Sequence, residues 1–147
     1  MKIKDFAKIM YGKNQSQVID LYGKYPIYGT GGIFGWANNY LYDKPSVLIG
    51  RKGTINNPIY VDNPFWTVDT LFYTIIDNSK VIPRWFYYYL CTIDLNKFNE
   101  GTTIPSLTTK TLYELEVPDY SIEYQQHIVD IILLLYFWLY FYIPHLF

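Results

Sequence analysis

From Leu21 onward the apolar residues fall in short runs, and each run is closed by Gly, Pro, Asn or Asp. Tyr25–Tyr28 runs into Gly29-Thr30-Gly31-Gly32, and Ile33–Trp36 runs into Ala37-Asn38-Asn39. Val47–Ile49 is closed by Gly50-Arg51-Lys52-Gly53-Thr54. Ile59–Val61 sits between Asn56-Asn57-Pro58 and Asp62-Asn63-Pro64, and Phe65–Val68 and Leu71–Ile76 complete the series. Short β-branched and aromatic runs bounded by turn residues predict strands with tight connections. No amphipathic helix of useful length interrupts them, which excludes a doubly wound sheet. The pattern changes near Pro83, a residue suited to a first helical turn, where Trp85–Leu90 places apolar groups on most of a helix surface. Thr102–Leu107 reads as a polar loop, Thr108–Leu115 as one or two helical turns, and Glu116-Val117-Pro118 as a closing edge strand. Ser121 is the expected N-cap of a further helix. The predicted fold is α+β: a β-rich unit with short helices over residues 1–120, then, over 121–147, the start of a C-terminal helix running into an apolar tail. No internal repeat is present.

That tail breaks the pattern. Ile131–Ile143 is thirteen consecutive apolar or aromatic residues. A membrane-spanning helix needs about 20, and no flanking Lys or Arg anchors this run. Three readings stand: a tail that packs on a partner, a marginal membrane anchor, or out-of-frame translation of an AT-rich gene, whose T-rich codons yield Ile, Leu, Tyr and Phe.

The 147 residues suit one domain, and a hydrophobic content of 50% can form a core. One cysteine, Cys91, and two histidines, His127 and His145, exclude an intramolecular disulfide, a cysteine zinc site and a multi-histidine metal centre. Met-Lys-Ile-Lys-Asp is not followed by an apolar stretch, so no secretory signal is expected, and the expected compartment is the cytoplasm. The net charge of −1 hides an asymmetry: residues 1–60 hold eight Lys/Arg against three acids, and the remainder four against ten. A basic half can face a polyanion while an acidic half faces a protein; scattered surface charge is the plain alternative.

Catalytic motifs are missing. In Gly29-Thr30-Gly31-Gly32-Ile33-Phe34 the sixth position is Phe, so the dinucleotide fingerprint fails, and there is no Walker lysine. Asn63-Pro64-Phe65-Trp66 lacks the second proline of an amino-methyltransferase loop. Pro118-Asp119 lacks the later acid-x-Lys of a metal nuclease. His127 and Cys91 have no evident partners for nucleophilic catalysis. No metal or cofactor is implied, and a non-catalytic role is expected.

What remains is chemistry suited to DNA. Amide side chains pair with adenine and Arg or Lys with guanine in the major groove, while basic turns contact phosphate. The candidates are Lys13, Gln15 and Gln17; Thr30; Asn38 and Asn39; Arg51, Lys52, Thr54 and Asn56; and Thr102 and Thr103. Asn is also common in turns and basic turns are often merely solvated, so each residue type has an ordinary surface explanation.

Several blocks, taken in order, resemble the target-recognition domains of type I restriction–modification specificity subunits: Tyr25–Ile33, Val47–Thr54, Phe65–Phe72, Thr102–Thr108, Leu115–Pro118 and Glu123–Ile128. The resemblance covers about residues 1–130. It implies recognition of one half of a split target in double-stranded DNA. It also implies partnership with the methyltransferase and restriction subunits of the system, which carry out adenine methylation and cleavage. Such domains normally occur in pairs joined by long helices; here there is one, and its helix turns apolar at Ile131. A second specificity half or a homodimer would supply the missing half-site. A truncated, non-functional remnant and a membrane-associated protein are the alternatives.

Overall fold

A computed structural model describes residues 1–146. Phe147, the last residue of the apolar tail, lies outside the described residues. The strand that sequence patterning did not reveal comes first. β1 (Ala7–Tyr11) buries Ala7 and Ile9 and exposes Lys8 and Tyr11, a half-buried alternation too short and too charged to stand out. The expected strands follow as β2 (Tyr25–Gly29), β3 (Gly32–Ala37), β4 (Ser46–Gly50), β5 (Ile59–Val61), β6 (Trp66–Thr67) and β7 (Leu71–Ile76). They form a four-stranded antiparallel sheet of order β1-β7-β4-β5 and a three-stranded sheet of order β3-β2-β6, with β2 and β6 parallel.

The two faces of the larger sheet explain its composition. Val47 and Ile49 of β4 and Phe72 and Ile76 of β7 join Ile3, Phe6, Trp85, Phe86 and Leu90 in the main core. Leu48, Leu71 and Tyr73 point to the other face, against Val61 and Phe65. β4 is therefore buried along its whole length, which a continuous apolar run permits and an alternating one does not. A third cluster, Ile27, Ala37, Trp66 and Val68, lies in the smaller sheet. Backbone pairing of β4 with β7 covers only Ile49–Phe72 and Gly50–Leu71. Beyond it, side chains hold the strands together. The Thr74 hydroxyl donates to the Val47 carbonyl at 2.8 Å and accepts from the Val47 N–H at 3.0 Å. The Ser46 hydroxyl donates to the Thr74 carbonyl at 2.7 Å and accepts from the Thr74 N–H at 2.9 Å.

α1 (Pro83–Thr92) begins with Pro83 in its first turn, as its sequence predicts. α2 (Thr109–Tyr113) is capped by Thr108, whose hydroxyl accepts from the Thr111 N–H at 3.3 Å. Glu116–Pro118 does not become a strand; it makes one antiparallel bridge to Lys2, because the segment it meets turns at once into a short 3-10 helix. α3 (Ile122–Tyr142) starts at Ser121, whose hydroxyl accepts from the Tyr124 N–H at 3.2 Å. Its first turns belong to the domain, with Gln125 and Val129 buried; from Leu134 onward most side chains are exposed.

Candidate nucleic-acid interface

Three strand ends of the larger sheet coincide. Tyr11 and Ile49 both pair with Phe72, and Gly50 pairs with Leu71. The segments leaving β1 and β4 and entering β7 therefore emerge together. Here Arg51 is fixed from several sides: its backbone N–H donates to the Thr70 carbonyl at 2.8 Å, and its carbonyl accepts from the Leu107 N–H at 2.9 Å. Its Nε donates to the Asp69 carbonyl at 2.7 Å, and its guanidinium stands 5.6 Å from the centre of the Tyr11 ring. The turn that follows needs its glycines. A Cβ on Gly50 would lie 2.1 Å from the Thr54 carbonyl oxygen, and Gly53 has φ +93°.

Two further loops join this end. The Gly53 N–H donates to the Pro105 carbonyl at 2.9 Å, and Lys52 bridges Ser106, which brings the exposed Thr102 and Thr103 beside the 51–54 turn. That loop is closed from within by Asn99, whose Oδ1 accepts from the N–H groups of Gly101 (2.8 Å) and Ser106 (2.9 Å). Glu100 accepts from the hydroxyls of Thr108 and Thr111, and these bonds hold its carboxyl below the ordinary range. The β2–β3 hairpin tip is tied in by Asn57, whose Nδ2 donates to the Thr30 carbonyl at 3.3 Å. Lys13 is held through its backbone: its N–H donates to the Thr67 carbonyl and its carbonyl accepts from the Trp66 Nε1, both at 2.9 Å.

The sequence candidates thus divide. Lys13, Thr30, Arg51, Lys52, Thr54, Thr102 and Thr103 gather at one end. Gln15, Gln17, Asn38 and Asn39 lie at the far end of β3, where the Asn38 N–H donates to the Val18 carbonyl and the Val18 N–H to the Gln15 carbonyl. The six residues of β3 set Asn38 about 20 Å from the hairpin tip at Thr30, while Lys13, two residues before Gln15, links the two groups. The Asn56 Oδ1 accepts from the Leu95 N–H at 2.8 Å, so its amide positions a neighbouring turn. Tyr11, 58% exposed beside Arg51, and Asn99 belong to this end and were not among the sequence candidates. Tyr11 carried one signal: it stands two residues before Lys13.

The charge asymmetry also acquires a location. Lys2 and Lys4 each lie 2.5 Å from the Glu114 carboxylate, whose pKa those hydrogen bonds bring down to about 2. The first cations of the basic half are therefore neutralised locally. Among the described residues, no salt bridge joins Lys13, Arg51 or Lys52 to an acid. No group of three or more His, Cys, Asp or Glu suited to a metal occurs among them either, and no helix is long and apolar enough to cross a membrane.

The model of one family, the type I restriction modification DNA specificity domain, matches residues 1–135. Three solved structures are similar. The S subunit of a type I restriction–modification system from M. genitalium superposes with TM-score 0.75 at 20% identity, covering 88% of this chain and 36% of that one. A type I R-M system chain, solved to describe complex assembly and conformational transition, gives TM-score 0.73 at 18% identity, with coverage of 88% and 36%. The HsdS subunit from Thermoanaerobacter tengcongensis gives 0.68 at 17%, with coverage of 88% and 35%. The matched region is little more than a third of each of these chains. Comparison with curated proteins gives no match.

Proposed function

The chain belongs to the type I restriction–modification DNA specificity domain family, and from that premise we propose that it reads one half of a split double-stranded DNA target. Residues 1–120 form the reading domain and α3 opens the connection to a second specificity half or a second copy. DNA specificity domains are non-catalytic. The methylation of adenine and the cleavage of DNA fall to the methyltransferase and restriction subunits of the same cytoplasmic system.

The observation that carries this reading is the gathering of Lys13, Arg51, Lys52 and the threonines of two loops at one end of the larger sheet, with no acid paired to the cations among the described residues. Cations in that position hold phosphates and set register, while hydroxyls and amides beside them meet base edges. With few phosphate contacts, a single domain binds weakly, and its salt dependence falls by about 0.9 in log–log slope with each contact removed. Arg51→Ala tests this in a fluorescence-anisotropy titration of duplex DNA at several salt concentrations. The expected result is weaker binding, with the slope of log K against log salt reduced by about 0.9, one phosphate contact's worth. Unchanged affinity at low salt removes Arg51 from the interface.

A further inference from the structure

The β2–β3 hairpin exposes apolar side chains where a regular hairpin would hide half of them. Its register steps from Ile27 opposite Gly35 to Tyr28 opposite Ile33, leaving Phe34 as the extra residue of a β-bulge. A bulge disrupts the alternation of faces and re-aims side chains. In consequence, two consecutive apolar residues, Ile33 (52% exposed) and Phe34 (54%), both face outward. The Phe34 ring lies over Gly29, 3.3 Å from where a Cβ would stand, so glycine there lets the ring lie flat along the ribbon.

The shape of the hairpin is as telling as its composition. β6 supports β2 only at Ile27 and Tyr28, so the tip beyond them is a two-stranded ribbon. It turns through Thr30-Gly31, and a Cβ on Gly31 or Gly32 would meet nothing within 4 Å. The tip is slender, and the Asn57–Thr30 bond sets it beside the end of the sheet that carries Arg51 and Lys52. The major groove of B-DNA, about 12 Å wide, admits a two-stranded ribbon. It is also the groove that displays the one apolar group on a base edge, the thymine 5-methyl.

Building on the DNA-reading role, we propose that the tip of the β2–β3 hairpin enters the major groove and that Ile33 and Phe34 contact thymine 5-methyl groups, so that the recognised half-site contains thymine. The bulge is then the device that turns both side chains toward the bases, with the neighbouring cations holding the flanking phosphates.

The test compares two duplex pools of the same random sequences, one synthesised with thymine and one with uracil, which pairs identically but lacks the methyl. The full-length chain is offered both pools in competition at low salt. Wild type is expected to prefer the thymine pool, by about fourfold for each buried methyl. Ile33→Ala and Phe34→Ala are expected to lower that preference toward unity by weakening retention of the thymine pool, while keeping their thermal midpoints. Equal retention of both pools by wild type overturns the proposal while leaving DNA reading intact, and it returns the exposed side chains to a protein partner. Retention of neither pool overturns the DNA-reading role and this proposal with it. A thymine preference that survives both substitutions overturns the assignment to these two residues. The wild-type comparison requires no variant, so it stands even if a substitution perturbs folding.

Discussion

Gln125 is the side chain on which the junction between the domain and α3 depends, and its removal has a calculable cost. It is fully buried. Its Oε1 accepts from the Ile82 N–H at 2.8 Å, and its Nε2 donates to the carbonyls of Lys80 and Tyr120, each at 3.0 Å. One amide thus satisfies three backbone groups on two segments, including the position that precedes α1 and has no side-chain cap of its own. Each such bond contributes about 1 kcal/mol net, and orphaned partners add to the loss, so Gln125→Ala should destabilise the domain by about 2–4 kcal/mol. For a chain of this size that lowers the thermal midpoint by roughly 6–12 °C. Gln126→Ala is the matched control: its side chain is exposed and, among the described residues, bonds only to Asp130, so its change should stay within about 0.5 kcal/mol. Gln125→Glu adds a diagnostic. A carboxylate would face two carbonyls in a buried site, so folding raises its pKa; the variant is then most stable at low pH and loses stability as pH rises through the folded value. Urea denaturation of the three variants decides the matter. A Gln125→Ala loss below about 1 kcal/mol, or equal to that of Gln126→Ala, refutes the reasoning.

Two more predictions concern stability. Thr74→Val keeps the shape but leaves the Val47 N–H and carbonyl without their shared hydroxyl between β4 and β7. A loss of about 2–3 kcal/mol in urea denaturation with an unchanged m-value is expected, and a neutral result would show that the strands close up by themselves. Glu114, bound to Lys2 and Lys4, has its pKa depressed from 4.5 to about 2, so its contribution is fully present above pH 4.5 and fades as pH falls toward 2. Glu114→Gln should therefore flatten the acid side of a plot of thermal midpoint against pH, converging with wild type near pH 2. Because the group is exposed, added salt should shrink the difference; parallel curves would deny the linkage.

How far the sequence carries depends on whether the physics is local. Runs such as Val47–Ile49 and Leu71–Ile76 announce strands because their own composition and flanking turn residues decide the matter, and Ser121 caps a helix three residues from its bond partner. β1 escaped notice because five residues with an exposed lysine make a strand only once β7 lies beside them. The interface divides in the same way. Basic and amide residues in turns were visible as residue types, but their grouping follows from contacts between distant segments: Gly53 with Pro105, Thr30 with Asn57, Lys52 with Ser106. Asn56 looked no different from Asn57 in the sequence; only the fold sets one against Leu95 and the other against the hairpin tip. The charge count likewise treated Lys2 and Lys13 as equals, although Glu114, 112 residues further on, neutralises the first.

The apolar tail then becomes intelligible as a part the domain does not need for itself. The main core closes at Val129, with Leu133 the last residue packed against it. Past that point the helix continues to Tyr142 with Leu134, Phe137, Trp138 and Phe141 each more than half exposed. Helices that are apolar all round are stable in water only when something covers them. From Leu134 onward the domain leaves most of its side chains exposed, and among the described residues no helix is long and apolar enough to cross a bilayer. The family match reaches residue 135, into the stretch where the helix leaves the core, and the chain accounts for little more than a third of the S subunits it resembles. On the reading proposed above, a second specificity half or a second copy of the chain would supply that cover. The same cover would bring a second reading surface within reach of the same duplex. Burial of the tail and completion of a split target are, on this view, one event: the hydrophobic free energy released along α3 is what would hold two weak half-site readers on one DNA molecule.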